Sequence, residues 1–328
     1  MCKRFIQLVR PAESGSGRSL YFFGSSHYNT NLILSSAFST VYVTKQSALW
    51  MLFHITFGYN QIMLKIIRSK AFFVLEIILL ALFALLWVVS TLPGFYDKLA
   101  AIGYAYCHQI PSRSFLFGSH QFAFCHRCSG LFLGIAWAFI WQLPAGKAGK
   151  VFTPGKVIFC ILSLFFYVAD SLNNTSLTVF GSGHSLYPPS AILRTLSGFL
   201  MGTAITILIY PIFNNVFWIA CDPDRGTLPS YKAKVGLFGT DLLTMVLLFS
   251  GNTFILTIFD VFSALAAILL TAGLYIMLIL LFFRLEIRFD RFLEGKNFLL
   301  LGLLFAVVQI TLIAFLRFRL TGVWYWPF

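Results

Sequence analysis

Two cysteines three residues apart, Cys125 and Cys128, follow a Cys-His pair at Cys107 and His108, so the stretch CHQIPSRSFLFGSHQFAFCHRCSG reads C-H-x16-C-x2-C. Thiolate and imidazole are the ligands that zinc and copper(I) select. Four of them complete a tetrahedral site, and three with an open position make the milder form. At i and i+3 at the start of a helix, Cys125 and Cys128 share one face with Cβ atoms roughly 5–6 Å apart, close enough to share a metal or to bond each other. Adjacent residues such as Cys107 and His108 ligate one ion only where the backbone turns sharply. The same residues support redox chemistry: a helix dipole acidifies the first thiol of a Cys-x-x-Cys at a helix N-terminus, and Cys107 supplies a third thiol for exchange. A structural disulfide or inert thiols is the third role, and cysteine spacing does not separate the three. CHRCS is not the haem-attachment pattern, because its histidine lies inside the pair. His126 and His120 read as lone histidines beside polar neighbours or headgroups.

Arginines and one carboxylate accompany the thiols. Arg113, Arg127 and Arg194 are candidates to hold an anionic group, and Asp170, in FFYVADSLNN, is a candidate base or positioning partner. An unpaired carboxylate inside a membrane is costly, so Asp170 is expected to pair with Arg194 or Arg127, either for chemistry or simply to fix helix register. SGLFLG at 129–134 and SGFLMG at 197–202 each follow an arginine closely and each contain a G-x-x-x-G pair. Such pairs let backbones approach, which predicts that the two helices pack in parallel and bring Arg194 level with Arg127. Glu76 and Asp241 are expected near helix ends, within reach of water or basic side chains. His184 has no assigned role.

The elements that must carry these residues are membrane helices. The 328 residues are 59% hydrophobic and only 11% charged, with 38 phenylalanines, a composition no soluble domain shares. The fold class is therefore all-α, a polytopic transmembrane bundle of about seven spans: 71–92, 122–143, 157–172, 190–212, 235–256, 260–283 and 297–316. The third extends toward Phe180, and only SGNTF and Asp260 separate the fifth from the sixth, an arrangement a re-entrant pair would also satisfy. The excess of 24 Lys and Arg over 11 Asp and Glu orients the bundle; it does not indicate nucleic-acid binding. Lys65, Arg68 and Lys70, then Lys147, Lys150 and Lys156, then Arg225, Lys232 and Lys234, then Arg284, Arg288, Arg291 and Lys296 all fall on one side. That side is read as cytoplasmic, with the N-terminus, and the cysteines lie on the extracytoplasmic side, where conditions are more oxidising. Arg317 and Arg319 disagree with this charge bias. Residues 1–62 read as a poorly ordered extension or as the product of an upstream start codon that the cell does not use, leaving 63–328 as the transmembrane domain.

Through CHQIPSRSF, CHRCSGLFLG, Asp170 and Arg194 with SGFLMG, the chain resembles a family of prokaryotic integral membrane proteins, domain of unknown function 2085, over about residues 100–205. The resemblance implies a multi-span protein of the prokaryotic plasma membrane with a cysteine-rich motif, and it brings no activity. From the residues, three readings follow. The first is a membrane-embedded metal- or thiol-dependent enzyme, with zinc or copper as the cofactor of the metal form. The second is a transporter or metal-handling permease, against which stands the lack of charged residues running down several spans. The third is a scaffold or assembly protein stapled by a disulfide. The lipid bilayer is the one partner the composition names.

Overall fold

The computed structural model describes residues 62–118, 120–180, 186–228, 230–282 and 289–323. The expected N-terminal extension and His184 lie outside the described residues. Eight helices and one hairpin are labelled here. They are α1 (Lys70–Ser90), α2 (Phe95–Tyr104), β1 (Ser114–Phe117), β2 (His120–Cys125), α3 (His126–Gln142), α4 (Pro154–Phe180), α5 (Ala191–Phe217), α6 (Tyr231–Leu248), α7 (Thr253–Phe282) and α8 (Lys296–Thr321). The protein is a polytopic helical bundle. Among the described residues, six helices (α1, α3, α4, α5, α7 and α8) are long and apolar enough to cross a membrane. The seventh long helix, α6, has eighteen residues and carries Lys232, Lys234 and Asp241.

Three boundaries differ from the sequence reading. The second span begins at His126, not 122, because HQFAFC pairs as a strand with SFLF across Gly118, whose φ of +61° suits a tight hairpin turn. The fifth and sixth spans part at Phe249–Asn252, where the Asn252 side chain accepts the N–H groups of Phe254 and Ile255 and starts α7. Asp260 therefore lies inside α7, fully buried. The short helix α2 was not foreseen.

The glycine pairs decide the central packing. A Cβ on Gly198 would stand 2.1 Å from the Arg127 carbonyl oxygen, one on Gly202 2.1 Å from that of Leu131, one on Gly130 2.2 Å from that of Thr195 and one on Gly134 2.6 Å from that of Phe199. The contacts advance along α3 and α5 together, so the two helices run parallel with backbones touching, an approach that larger residues would forbid.

Connectivity gathers the loops at two ends of the bundle. At one end the α3–α4, α5–α6 and α7–α8 connections are tied together. Gly149 N–H donates to Asp222 O (2.7 Å), Phe289 N–H to Phe217 O (2.8 Å) and Lys147 Nζ to Asp290 O (2.7 Å). Asn297 reaches Ile67 O just before α1. The cysteine motif, the end of α4, the start of α5 and the last turn of α8 share the opposite end.

Candidate metal centre

The centre starts from a glycine. Gly103, near the end of α2, lies so close to β2 that a Cβ there would sit 1.9 Å from the Ala123 carbonyl oxygen. This approach sets Cys107, one turn on, beside Cys125 at the foot of β2. The Cys107 Sγ accepts the N–H of Cys125 (3.3 Å) and of Gln109 (3.5 Å) and stands 3.8 Å from His108 Nδ1. The sharp turn that neighbouring ligands require is present at Gln109, the one described non-glycine residue with positive φ, at +55°. Its buried side chain holds that turn by donating to Ala100 O (2.7 Å) and Ala123 O (2.9 Å), while Gln121 donates to its carbonyl (2.7 Å).

The Sγ atoms of Cys107 and Cys125 and a ring nitrogen of His108 all lie within 4.8 Å of one another. Bond lengths of about 2.3 Å for zinc to sulfur and about 2.0 Å to nitrogen place tetrahedral ligands somewhat closer, so small side-chain rotations would close the group on an ion. Cys128, on the first turn of α3, is close enough to both other thiols to act on their ionisation and is a candidate fourth ligand. The two cysteine ligands of the group are buried and His108 is exposed, which leaves one open approach. All described cysteines are free thiols. Where three sulfurs share protons, one ionises first: hydrogen bonds from Cys107 and Cys128 hold Cys125 well below the ordinary thiol range. Giving its proton to that bond pushes Cys107 up to about 12.

The carboxylate and arginines form a second layer between α3, α4 and α5. Arg127 makes an ion pair with the fully buried Asp170, whose other oxygen accepts the Tyr187 hydroxyl (2.8 Å) and the Asn174 amide (3.2 Å). Arg194 does not bond Asp170; it reaches it through Asn174, donating to Oδ1 from Nε (3.0 Å) and Nη2. Arg113 sits on the short turn Pro111–Arg113, close enough for its charge to act on His108 and Arg194. Partial desolvation, with the charges of Arg113, Arg127 and Arg317 adding to it, lowers the His108 pKa and favours the neutral, ligand-competent ring.

His126 and His120 stay outside the thiol group: His126 is packed edge-on against Phe115 and stacked on Phe249, and His120 is stacked on Tyr96. Two contributors were missed. Arg317 of α8 donates to the carbonyls of Tyr104 (2.7 Å), Cys107 (2.5 Å) and His108 (3.3 Å), with its guanidinium 3.9 Å from the centre of the Tyr104 ring. Its signal was in the sequence, as a cation on the wrong side for the charge bias. Asp260 of α7 accepts the Ala123 N–H (2.9 Å) and so holds β2 from behind. Glu76 and Asp241, expected to reach water or basic groups, are buried instead; Asp241 accepts only the Thr203 hydroxyl (3.1 Å), and Glu76 has no hydrogen-bond partner among the described residues.

A helical membrane bundle with soft ligands gathered at one end defines the class of protein, and the comparisons with known proteins name its family. The family model described as a predicted membrane protein, DUF2085, matches residues 107–208. The uncharacterized protein MJ1492 of Methanocaldococcus jannaschii is 30% identical over 154 residues, covering 47% of this chain and 93% of that protein. The chain belongs to this family. No solved structure matches it.

Proposed function

We propose that the protein is a membrane-embedded metalloenzyme holding zinc or copper(I) on Cys107, His108 and Cys125, with Cys128 as fourth ligand or flanking thiol. The observation that carries this reading is the convergence of two sulfurs and one imidazole nitrogen within 4.8 Å from segments on either side of a hairpin. The two N–H groups aimed at the Cys107 sulfur add to it, because a metal-bound thiolate there would accept both. When bound, the ion supplies Lewis acidity at the exposed edge beside His108, where a substrate can approach. Arg113, Arg127 and Arg194 provide the positive field for an anionic substrate, and Asp170 positions Arg127. The extracytoplasmic placement of the site is part of the proposal: the lysine-rich loops cluster at the opposite end of the bundle, which the positive-inside rule assigns to the cytoplasm.

Elemental analysis of anaerobically purified protein tests the reading. About one zinc or copper per chain is expected, lost in the Cys125→Ser, Cys128→Ser double variant. A second reading, thiol–disulfide exchange, is favoured by the low-lying Cys125 thiol at the cap of α3. Metal-free protein with a reducible Cys125–Cys128 pair would decide for exchange and against the metal.

A further inference from the structure

The end of the bundle away from the cysteines holds a cavity of about 410 Å³ that the proposed chemistry does not use. Two cations from different segments line it: Arg68, just before α1, and Lys296, the first residue of α8. The buried Asn297 fixes their spacing. Its amide donates to Ile67 O (2.5 Å), which ties the lead into α1 to the first turn of α8. Phe73 holds Lys296 from the other side, with Nζ 4.5 Å from the ring centre. Neither cation makes an ion pair among the described residues. The acid in the lining, Glu294, already accepts the N–H groups of Asp290 (3.1 Å) and Arg291 (3.4 Å) through one carboxylate oxygen. Two cations against one acid leave a single positive charge among the described lining residues. The start of α8 adds to it, since Gly295 offers no side-chain cap and the helix dipole presents its positive end there.

We propose that this cavity binds the phosphodiester headgroup of an anionic glycerophospholipid, held by Arg68 and Lys296. A phosphodiester carries one negative charge, which matches the excess, and basic pockets between spanning helices suit such headgroups. The surroundings favour a lipid over a free anion. Both α1 and α8 are long and apolar enough to cross a membrane, so their first turns stand at headgroup depth. Leu293, in the cavity lining, is 78% exposed and its neighbour Phe292 is 54% exposed, so apolar surface for acyl chains adjoins the cations. The site is independent of the metal reading, since its residues lie in other segments from the cysteines.

Full-length protein in detergent is titrated with phosphatidylglycerol or phosphatidylcholine, and retained lipid is counted by native mass spectrometry. Phosphatidylglycerol should bind saturably and roughly tenfold or more tighter than phosphatidylcholine. The double variant Arg68→Gln, Lys296→Gln should weaken that binding roughly 10- to 100-fold. The matched control is Lys232→Gln with Lys234→Gln, two exposed lysines in the first turn of α6 that do not line the cavity; it removes the same charge and should leave binding unchanged. Glu294→Gln keeps an acceptor for the two N–H groups and removes the acid from the lining, so it should tighten binding several-fold. Equal retention of the two lipids overturns the proposal. So does equal weakening in the two double variants, which would report only the general attraction of a basic surface, or an absence of tightening in Glu294→Gln. Inorganic phosphate that fully displaces the lipid would show a soluble-anion site and overturn the lipid assignment.

Discussion

A sulfur that accepts two backbone N–H groups and faces an imidazole has its environment set before any ion arrives, and at Cys107 those donors come from Gln109 and Cys125. Arg317 fixes the other side of the same turn by donating to the carbonyls of Tyr104, Cys107 and His108. Arg317→Ala should therefore lower metal affinity roughly 10- to 100-fold, the usual cost of losing an outer partner, and Arg317→Lys should not restore it, since an ammonium cannot span the carbonyls as a planar fork does. Competition with a chromophoric chelator measures both; full affinity in Arg317→Ala would remove the residue from the centre. For metal-free protein the sign of the pH effect follows from Cys125, whose pKa is depressed. Its thiolate stabilises the fold fully above the ordinary thiol range, and that contribution fades as pH falls through the lowered value. Alkylation of Cys125 by iodoacetamide should fall less steeply between about pH 9 and 7 than that of an ordinary thiol, which loses roughly 25-fold of its thiolate over that interval. A fall as steep as the ordinary thiol's would contradict the assigned thiolate. The ligand types and the Arg127 partner could be read from residue spacing. The Gln109 turn could not, because nothing in glutamine's chemistry announces a left-handed backbone.

Among the helices, the closest backbone contact is where substitution should hurt most. Gly198→Ala puts a carbon against the Arg127 carbonyl, so α3 and α5 must separate, at a cost of about 1–3 kcal/mol with the displacement carried to Arg127 itself. Gly239→Ala, with nothing within 4 Å of the new carbon, should be neutral, and paired thermal unfolding in detergent compares them. The hairpin offers a second test. Asp260→Asn keeps an acceptor for the Ala123 N–H, whereas Asp260→Leu leaves that buried donor unsatisfied, a loss of about 1–3 kcal/mol that should appear as faster amide exchange in β2. Parallel packing of α3 and α5 was legible because G-x-x-x-G states a steric fact. The hairpin was not: FAF continues the apolar run of the helix behind it, and an apolar run alone does not distinguish a buried strand from a helix. Asp260 misled for a related reason, since a carboxylate in an apolar stretch reads as a boundary until its backbone partner is known.

Over the whole molecule, the spans could be read from hydropathy because bilayer thickness fixes helix length, and loop charge gave the expected orientation. That orientation predicts that a cysteine at the exposed position Leu186, in a background without other reactive thiols, is modified by a membrane-impermeant maleimide added to intact cells. Labelling only after the cells are opened would reverse the topology. What loop charge could not explain was Arg317, because its role depends on a carbonyl 210 positions earlier. That separation has a consequence in time. At the usual pace of a ribosome, roughly 10 to 40 s pass between the synthesis of Cys107 and of Arg317. Through that interval the nascent protein carries its thiols without the guanidinium that steadies them, so the proposed ion would load stably only after α8 has been inserted, and chains stalled before it would be the ones most exposed to oxidation or to capture of the wrong ion.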